Sequence, residues 1–263
     1  MAITGLNINL TVGSFTVNRL PKAELVLERG AVAERLVVGL PDPAGEVAAG
    51  LSEGEAANLF FGFRGGPSQS WSGKITEIKA SKDAVRITAL APELAFIKTK
   101  VSECFHQESA RKVVTRLMNL AGIAPGRLEG PDEIIPHLIF SGQPVYECFK
   151  QINATLARVY ELDMSAMVYW IGEDGTGQWG DFDRPGPAPI LASGDNLVKH
   201  DPRGEEGEAL AILCPGLSHS QLFTIRDDRR ALTLTKRAQS VRHVLGEQGN
   251  LSTVTYGKEK GYD

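Results

Sequence analysis

The sequence contains few cysteines, and they form no recognisable metal or redox motif. The three, Cys104, Cys148 and Cys214, lie far apart, and no Cys-x-x-Cys spacing occurs. An odd number of widely spaced cysteines predicts neither a zinc site nor a redox-active pair. Isolated cysteines in apolar settings usually act as small core residues, and this usage fits a reducing compartment.

Clusters of basic residues and long apolar runs are also missing. The formal net charge is -4 and the pI is about 5.8. Arg226, Arg229 and Arg230 alternate with Asp227 and Asp228, which nearly neutralise them. Phosphate binding needs clustered Lys and Arg, so we expect no sequence-specific nucleic-acid binding. The N-terminus has no basic or continuously apolar stretch, and no run approaches the roughly 20 apolar residues of a membrane span, so we expect neither a signal peptide nor direct membrane insertion.

The overall composition is that of an ordinary globular protein, and the residue pattern predicts many strands. The 263 residues are 42% hydrophobic and 23% charged, enough for two domains or one large β-rich domain. Apolar and polar residues alternate through much of the first 100 residues, which predicts strands. One hairpin is predicted where Ile75 and Ile78 precede a polar turn, and Val85, Ile87 and Ala89 follow it.

Two amphipathic helices are predicted in the middle of the chain. Ser109 is a suitable N-cap for the first helix and Gly122 a suitable stop. The second begins near Pro144, which suits a first turn. The apolar stripes comprise Ala110, Val113, Val114, Leu117 and Ala121 in the first helix, and Val145, Cys148, Phe149, Ile152, Leu156 and Val159 in the second.

Strand patterns return after the second predicted helix. A hairpin is predicted around the acidic turn at 172–176, and the proline-rich stretch Asp183 to Pro189 is the best linker candidate. A closing hairpin is predicted from Ser240 to Tyr256, with its turn at Gly246 to Asn250. We therefore predict three domains, namely a β-rich domain at 1–100, an α+β domain at 101–188 and a second β-rich domain at 189–263.

Each motif that could carry chemistry has a simpler structural interpretation. Ser218 lies in Gly-Leu-Ser-His-Ser, where a nucleophile elbow would require glycine in place of Ser220 and a helix afterwards. The glycine-rich segment 62–70 lacks the Gly-Lys-Ser/Thr ending of a phosphate-binding loop. The carboxylates Glu173, Asp174, Asp181 and Asp183 do not have the spacing of a calcium loop. We expect a polar loop, a loop between strands and a hairpin turn, respectively.

The histidines and tryptophans likewise carry no motif. None of His106, His137, His200, His219 and His243 has another histidine at i+2 or i+4, as metal-binding strands and helices require. His243 shares a predicted strand face with Val241 and Leu245, which favours a structural residue that hydrogen-bonds within the fold or across a subunit contact. We therefore predict no catalytic, cofactor-binding or metal-binding residue, no cofactor, and a protein that is not an enzyme.

The order of elements resembles that of phage baseplate hub proteins. Three segments carry the resemblance: Val-Tyr-Glu-Cys-Phe-Lys-Gln-Ile from Val145, the Pro215-Gly216 turn before a strand, and the V-x-H-x-L-G-x-x-G-x-x-S-T-x-x-x-G hairpin from Val241. They are similar to segments of the late-control D family of contractile-tailed phages. That family is related to the amino-terminal hub part of type VI secretion spike proteins.

The resemblance implies a fold and a set of partners. The fold would be mainly β (α+β), with two tube-type antiparallel β-barrel domains and a small α+β insert between them. Three subunits would form a homotrimeric ring of pseudo-sixfold symmetry in the tail baseplate of a virion, assembled in the host bacterial cytoplasm. The ring would join the tail tube and adjacent tube-initiator or baseplate proteins to a separate central spike protein, and would let DNA or the tape-measure protein pass. Disruption of the closing turn at Gly246 to Asn250 should then impair ring assembly.

Two other functions stay open at this point. The first is a small hydrolase that uses Ser218 or the acidic hairpin around Asp181. The second is a tail module that binds carbohydrate or a host surface, with Trp71, Trp170 and Trp179 as stacking platforms. Burial of the tryptophans would exclude the second function.

Overall fold

The structure is a computed structural model that describes residues 5–17, 20, 22–247 and 249–257. Its helices are α1 (Glu46–Ala49), α2 (Leu94–Lys98), α3 (Ala110–Leu120) and α4 (Val145–Tyr160), with a 3-10 turn at Asp228–Arg230. Its strands are β1 (Leu6–Val12), β2 (Phe15–Val17), β3 (Lys22–Glu28), β4 (Arg35–Pro41), β5 (Ala56–Phe63), β6 (Ser68–Ala80), β7 (Ala84–Leu90), β8 (Lys100–Val101), β9 (Cys104–Ser109), β10 (Pro125–Leu128), β11 (Ile134–Ile139), β12 (Gln143–Pro144), β13 (Val168–Ile171), β14 (Gly177–Gly180), β15 (Ile190–Ala192), β16 (Leu197–Arg203), β17 (Glu206–Ile212), β18 (Leu222–Asp227), β19 (Leu232–Gly246) and β20 (Leu251–Tyr256).

The chain folds into two compact units. The first unit takes its described residues from Met1–Glu28, Glu34–Ala91 and Asp183–Lys258, and the second from Arg29–Ala33 and Pro92–Phe182. Helix α1 and strands β1 to β7 and β15 to β20 belong to the first unit. The second unit holds α2 to α4 and the shorter strands β8 to β14.

One sheet of 13 strands organises the first unit. Its strand order is β16-β17-β20-β19-β3-β4-β7-β6-β5-β1-β2, with β18 paired to β19 and β15 paired to β18. All of its pairs are antiparallel except β15 with β18. The sheet takes strands from both predicted tube-like regions, and β3 pairs directly with β19 across the two.

Strict alternation places the apolar side chains of these strands in one core. In β3, β4 and β7 every second side chain is buried, as expected for a sheet with one solvated face. Burial of each such Val, Leu or Ile stabilises the fold by roughly 1.5–3 kcal/mol relative to exposure. The buried residues of the three strands are Ala23, Leu25, Leu27, Leu36, Val38, Leu40, Val85, Ile87 and Ala89.

Two long strands bend and connect neighbouring parts of the sheet. Strand β6 pairs with β5 through its first half and with β7 through its second, and the register shifts between Ile75 and Glu77. Strand β19 does the same with β18 and then β20, with a shift between Ala238 and Ser240. A bulge lets a strand bend while its pairing continues on both sides.

The closing hairpin is confirmed as β19 and β20, but it lies inside the sheet. Strand β20 pairs with both β19 and β17, and β19 pairs with both β20 and β3. The edges of the described sheet are instead β16 and β2 at the ends of the path and the short β15 beside β18. Asn250 Oδ1 accepts a hydrogen bond of 3.1 Å from the Gly246 amide across the turn, while Gln248 of the predicted turn lies outside the described residues.

The second unit contains both predicted amphipathic helices. The Ser109 hydroxyl caps α3 by accepting from the Lys112 amide at 3.3 Å, and Gly122 follows the helix with a φ of +74°. Both apolar stripes face one core, except at one position. Val159, predicted to be buried, is 46% exposed, because the last turn of α4 packs Ala157 and Tyr160 against the core and places Val159 on the opposite side.

The expected fold class is confirmed, since the chain is mainly β with antiparallel sheets and few helices. Strand pairing among the described residues follows an open path and does not close into a barrel. The boundaries of the three predicted domains stay a prediction. Within the described part of the chain, the helices are all too short or too polar to cross a membrane.

Helix α4 offers a matched test of the second core. Leu156→Ala removes a fully buried side chain and should lower the free energy of unfolding by about 2–5 kcal/mol. Val159→Ala in the same helix should change it by less than about 0.5 kcal/mol, because that side chain is exposed. Urea denaturation measures both, and equal losses would contradict the assigned orientation of α4.

Candidate functional site

The histidine of the closing hairpin is a structural residue of the first core. His243 is fully buried with Val241 and Leu245, as its alternation predicts. Its Nε2 lies 3.0 Å from the Leu217 carbonyl, and its Nδ1 lies 2.8 Å from the Ser252 hydroxyl. A carbonyl only accepts, so Nε2 carries the proton and Nδ1 accepts from Ser252. The histidine therefore attaches the loop that contains Leu217 to the hairpin.

Burial also sets the protonation state of this imidazole. Removal from water lowers the pKa of His243 from 6.5 to about 4, and the hydrogen bond to the Leu217 carbonyl offsets only part of the effect. The ring is therefore neutral at neutral pH. A neutral ring fits its surroundings, which include the Phe61 ring at 5.1 Å between centroids.

Residues Pro215–Gln221 form a loop, as predicted, but most of this loop is buried. Ser218, His219 and Ser220 are all largely shielded from solvent. Arg184 donates to the Ser218 hydroxyl and, at 2.9 Å, to the Glu34 carboxylate. The loop thus enters the core because its polar groups find partners there, since an unpaired buried polar group is costly.

Burial argues against nucleophilic chemistry in this loop. Nε2 of His219 lies 3.0 Å from the Arg184 guanidinium and 3.3 Å from the Glu34 carboxylate, and Nδ1 lies 2.9 Å from the Ser220 hydroxyl. Ser220 is fully buried, so its hydroxyl is closed to a substrate. Ser218 contacts Arg184 rather than an imidazole. Neither serine is therefore an accessible nucleophile beside a general base.

The Glu34–Arg184 pair is the charged centre of this network. Burial alone would raise the pKa of Glu34, but the Arg184 charge and the hydrogen bonds from His219 and Arg184 together outweigh burial and hold this pKa well below its usual value. The two side chains are 12% and 15% exposed. Both therefore stay charged at neutral pH in a place that is mostly closed to water.

A second buried network connects β16, β18 and β20. His200 lies 3.0 Å from the Asp227 carboxylate and 2.8 Å from the Tyr256 hydroxyl, and Arg230 also donates to Asp227 at 3.0 Å. Burial alone would raise the pKa of Asp227, but hydrogen bonds from His200 and Arg230 keep it below its usual value. These contacts join three strands of the sheet. The spacing of the four residues in the sequence predicted none of these contacts.

The acidic residues of the predicted hairpin have structural roles. Asp174 accepts from the amide and the hydroxyl of Thr176 and orders the turn, which lowers its pKa. Asp181 receives a hydrogen bond of 2.9 Å from the buried Arg29. Asp183 receives one of 2.6 Å from Arg237. The carboxylates are thus separated among different partners, and no cluster of three or more metal-ligating side chains occurs among the described residues.

The three tryptophans are buried, so they offer no exposed platform for a carbohydrate. Trp179 donates to the Asn153 side chain at 3.3 Å inside the second core, and Trp170 packs on Phe182 with ring centroids 4.8 Å apart. Trp71 belongs to the first core. The stacking hypothesis is therefore wrong for this structure. The loop predicted in the glycine-rich segment at 62–70 is confirmed, and it comprises residues 64–67 between β5 and β6.

The cysteines divide into two buried residues and one exposed residue. Burial raises the pKa of Cys148 to about 12 and that of Cys214 to about 11, so both are inert core thiols. Cys104 is exposed, unlike the usual isolated cysteine, because it lies on the outer face of the two-stranded ribbon formed by β9 and β11.

Comparison with known proteins identifies the fold. No protein-family model matches the chain, and no curated protein matches its sequence. Among solved structures, the 43 kDa tail protein of prophage MuSo2 from Shewanella oneidensis superimposes with a TM-score of 0.70 at 11% identity, covering 97% of this chain and 98% of that one. A tail protein from Neisseria meningitidis gives 0.70 at 11% identity, with 97% of each chain covered.

The chain has the fold of these tail proteins. An Escherichia coli protein, described as a type VI secretion component with structural similarity to the phage T4 tail proteins gp27 and gp5, matches with a TM-score of 0.69 at 10% identity. That match covers 96% of this chain and 78% of the other. The resemblance inferred from the order of elements is thus confirmed at the level of the fold.

The buried imidazole of His243 should make the protein less stable in mild acid. An unfolded histidine takes up a proton near pH 6.5, but His243 in the folded protein does so only near pH 4. The unfolded chain binds more protons in that window, so the free energy of unfolding falls as the pH falls through it. The total loss from this residue is about 3 kcal/mol.

Urea denaturation between about pH 7 and pH 4.5 measures this effect. His243→Gln removes the titrating group, so its stability difference from the natural protein should narrow as the pH falls. His106→Gln removes an exposed imidazole and is the matched control. A difference for His243→Gln that is constant with pH would contradict the neutral buried ring.

The Glu34–Arg184 pair should show strong coupling. Arg184→Leu leaves the Glu34 carboxylate without its main partner and should cost about 3–5 kcal/mol of stability. Adding Glu34→Gln should recover part of that loss, because it removes the unpaired charge. A double-mutant cycle by urea denaturation gives the coupling, and additive losses would argue against a buried pair.

Proposed function

We propose that the protein is a structural baseplate hub of a contractile phage tail or a phage-like injection device. Three subunits form a ring of pseudo-sixfold symmetry that joins the tail tube to the central spike. The observation that carries this proposal is the match to tail proteins over almost the whole length of both chains. A fold hosts many functions, so the proposal needs its own test.

The open sheet edges support assembly into a ring. Strands β16 and β2 end the sheet path of the described residues, and an edge strand presents backbone groups that can pair with another chain. On β16, the apolar side chain of Val198 is 47% exposed. A closed ring of identical subunits covers such edges without leaving an open end.

The internal organisation supports two tube-type halves. The bent strands β6 and β19 connect parts of the sheet in the same manner, one in the region 1–100 and the other in the region 189–263. In the proposed ring each subunit contributes these two halves, so three subunits present six. The region 101–188 is the insert between them.

A non-enzymatic role agrees with the buried polar networks. The two serines and the histidine of the Pro215–Gln221 loop are enclosed and occupied by structural contacts. The proposed partners are the tube, the neighbouring tube-initiator or baseplate proteins, the spike and the tape-measure protein in the virion, with assembly in the host bacterial cytoplasm. The net charge of -4 favours a ring that lets DNA or the tape-measure protein pass without holding nucleic acid.

The central experiment determines the oligomeric state. Light scattering after size exclusion should give a trimer, either alone or after addition of the spike protein. Negative-stain electron microscopy should show a threefold ring with a central channel. A protein that stays monomeric with both tube and spike proteins would refute the hub proposal.

A pair of valine substitutions tests the edge strand. Val198→Asp places a charge on β16 and should weaken assembly while the subunit stays folded, because the side chain is exposed. Val159→Asp alters an equally exposed valine on α4 and is the matched control. Circular dichroism establishes that both variants fold. Assembly that is lost only in Val159→Asp would place the contact on the second unit instead.

A further inference from the structure

We propose that His106 and His137 form a binding site for a divalent transition-metal ion on the exposed face of the β9–β11 ribbon. The two residues are direct partners in the antiparallel register of these strands. Both are exposed. The proposal concerns the second unit alone and does not depend on the baseplate role.

The ring geometry fits two imidazoles on one ion. Their centroids are 6.1 Å apart, and the ring planes meet at 69°. With Zn–N bonds of about 2.0–2.1 Å, two imidazoles on one zinc ion have centroids roughly 5–6 Å apart. Directly opposed residues on a sheet face have Cβ atoms only about 4.5–5.5 Å apart. A small side-chain rotation therefore brings one nitrogen of each ring onto a common ion.

His106 and His137 are also the two histidines whose imidazole rings are exposed to a ligand from solvent. In His200, His219 and His243 both ring nitrogens contact hydrogen-bonding groups of the protein, and all three residues are buried. The exposed pair is thus the only imidazole pair in the described chain that a metal ion can reach from solvent.

The pairing of β9 with β11 is interrupted beside His106 and His137. A cross-link between the two strands would stabilise the ribbon at this point. Gln107 and Pro136 lie opposite each other but are not paired in the ladder. Proline lacks an amide hydrogen, and Gln107 has a φ of +53°, which a side chain other than glycine rarely adopts. The strand pairing therefore lacks one residue pair next to His106 and His137. An ion bound by both imidazoles would join the two strands there.

The donor set selects the type of metal. Imidazole nitrogen suits Zn²⁺, Ni²⁺ and Cu²⁺, whereas Mg²⁺ and Ca²⁺ prefer oxygen ligands. The described residues hold no cluster of three or more ligating side chains, so water completes the coordination. The exposed Cys104 lies on the same strand two residues from His106, and its thiol is the competing ligand that the experiment must separate.

Calorimetric titration of the untagged full chain with Zn²⁺ and Ni²⁺ tests the proposal. One ion should bind per chain. His106→Ala and His137→Ala should each weaken binding by at least about tenfold, since even the partners of metal ligands contribute that much. Gln107→Ala is the matched exposed control and should keep the affinity, as should Cys104→Ser.

Thermal unfolding provides a second readout. Zn²⁺ should raise the melting temperature of the natural protein but not that of the two histidine variants, because binding to the folded state alone stabilises it. Circular dichroism without metal should be the same for all variants. Absence of binding, unchanged binding in His106→Ala and His137→Ala, or loss of binding in Cys104→Ser would overturn the proposed site.

Discussion

The first unit depends on the pairing of β3 with β19. This ladder runs from Lys22 opposite Gly246 to Glu28 opposite Ser240, so it joins residues more than 200 positions apart. Among the described strands it is the only ladder between those before residue 91 and those after residue 190. Such a contact has a high entropic cost of loop closure, which the shared core on its buried face must offset. Without it, the sheet would divide into two pieces with exposed edges.

The same ladder explains the buried polar loop. It places His243 opposite Leu25 on the core side of the sheet, where the imidazole binds the Leu217 carbonyl. The loop that follows brings serines and a histidine into the interior, where Arg184 and Glu34 complete their hydrogen bonds. Residues that appear catalytic in the sequence are thus the means by which an irregular segment is buried without unsatisfied groups.

The fold is shared with tail proteins at very low sequence identity, and the physical reason lies in how the sheet is specified. An alternating strand needs an apolar residue at every second position, and many different residues meet that need. Caps and glycines at turns restrict only a few further positions. Surface residues, which would determine partners and any bound ion, are free to differ between chains with one fold. For that reason chains of only 10–11% identity can share this fold.

The sequence by itself determined the strands and helices that rest on local patterns. Period-two alternation located β3, β4, β7 and the closing hairpin, and capping by Ser109 and Gly122 bounded α3, because these signals act within a few residues. It also indicated that His243 is structural. Only the tertiary structure decided that the closing hairpin lies inside the sheet, that the loop around Ser218 is buried, and that His106 faces His137. Each of these depends on contacts between residues that are distant in the chain. No local sequence pattern specifies which strands pair, or in which register, over such a distance.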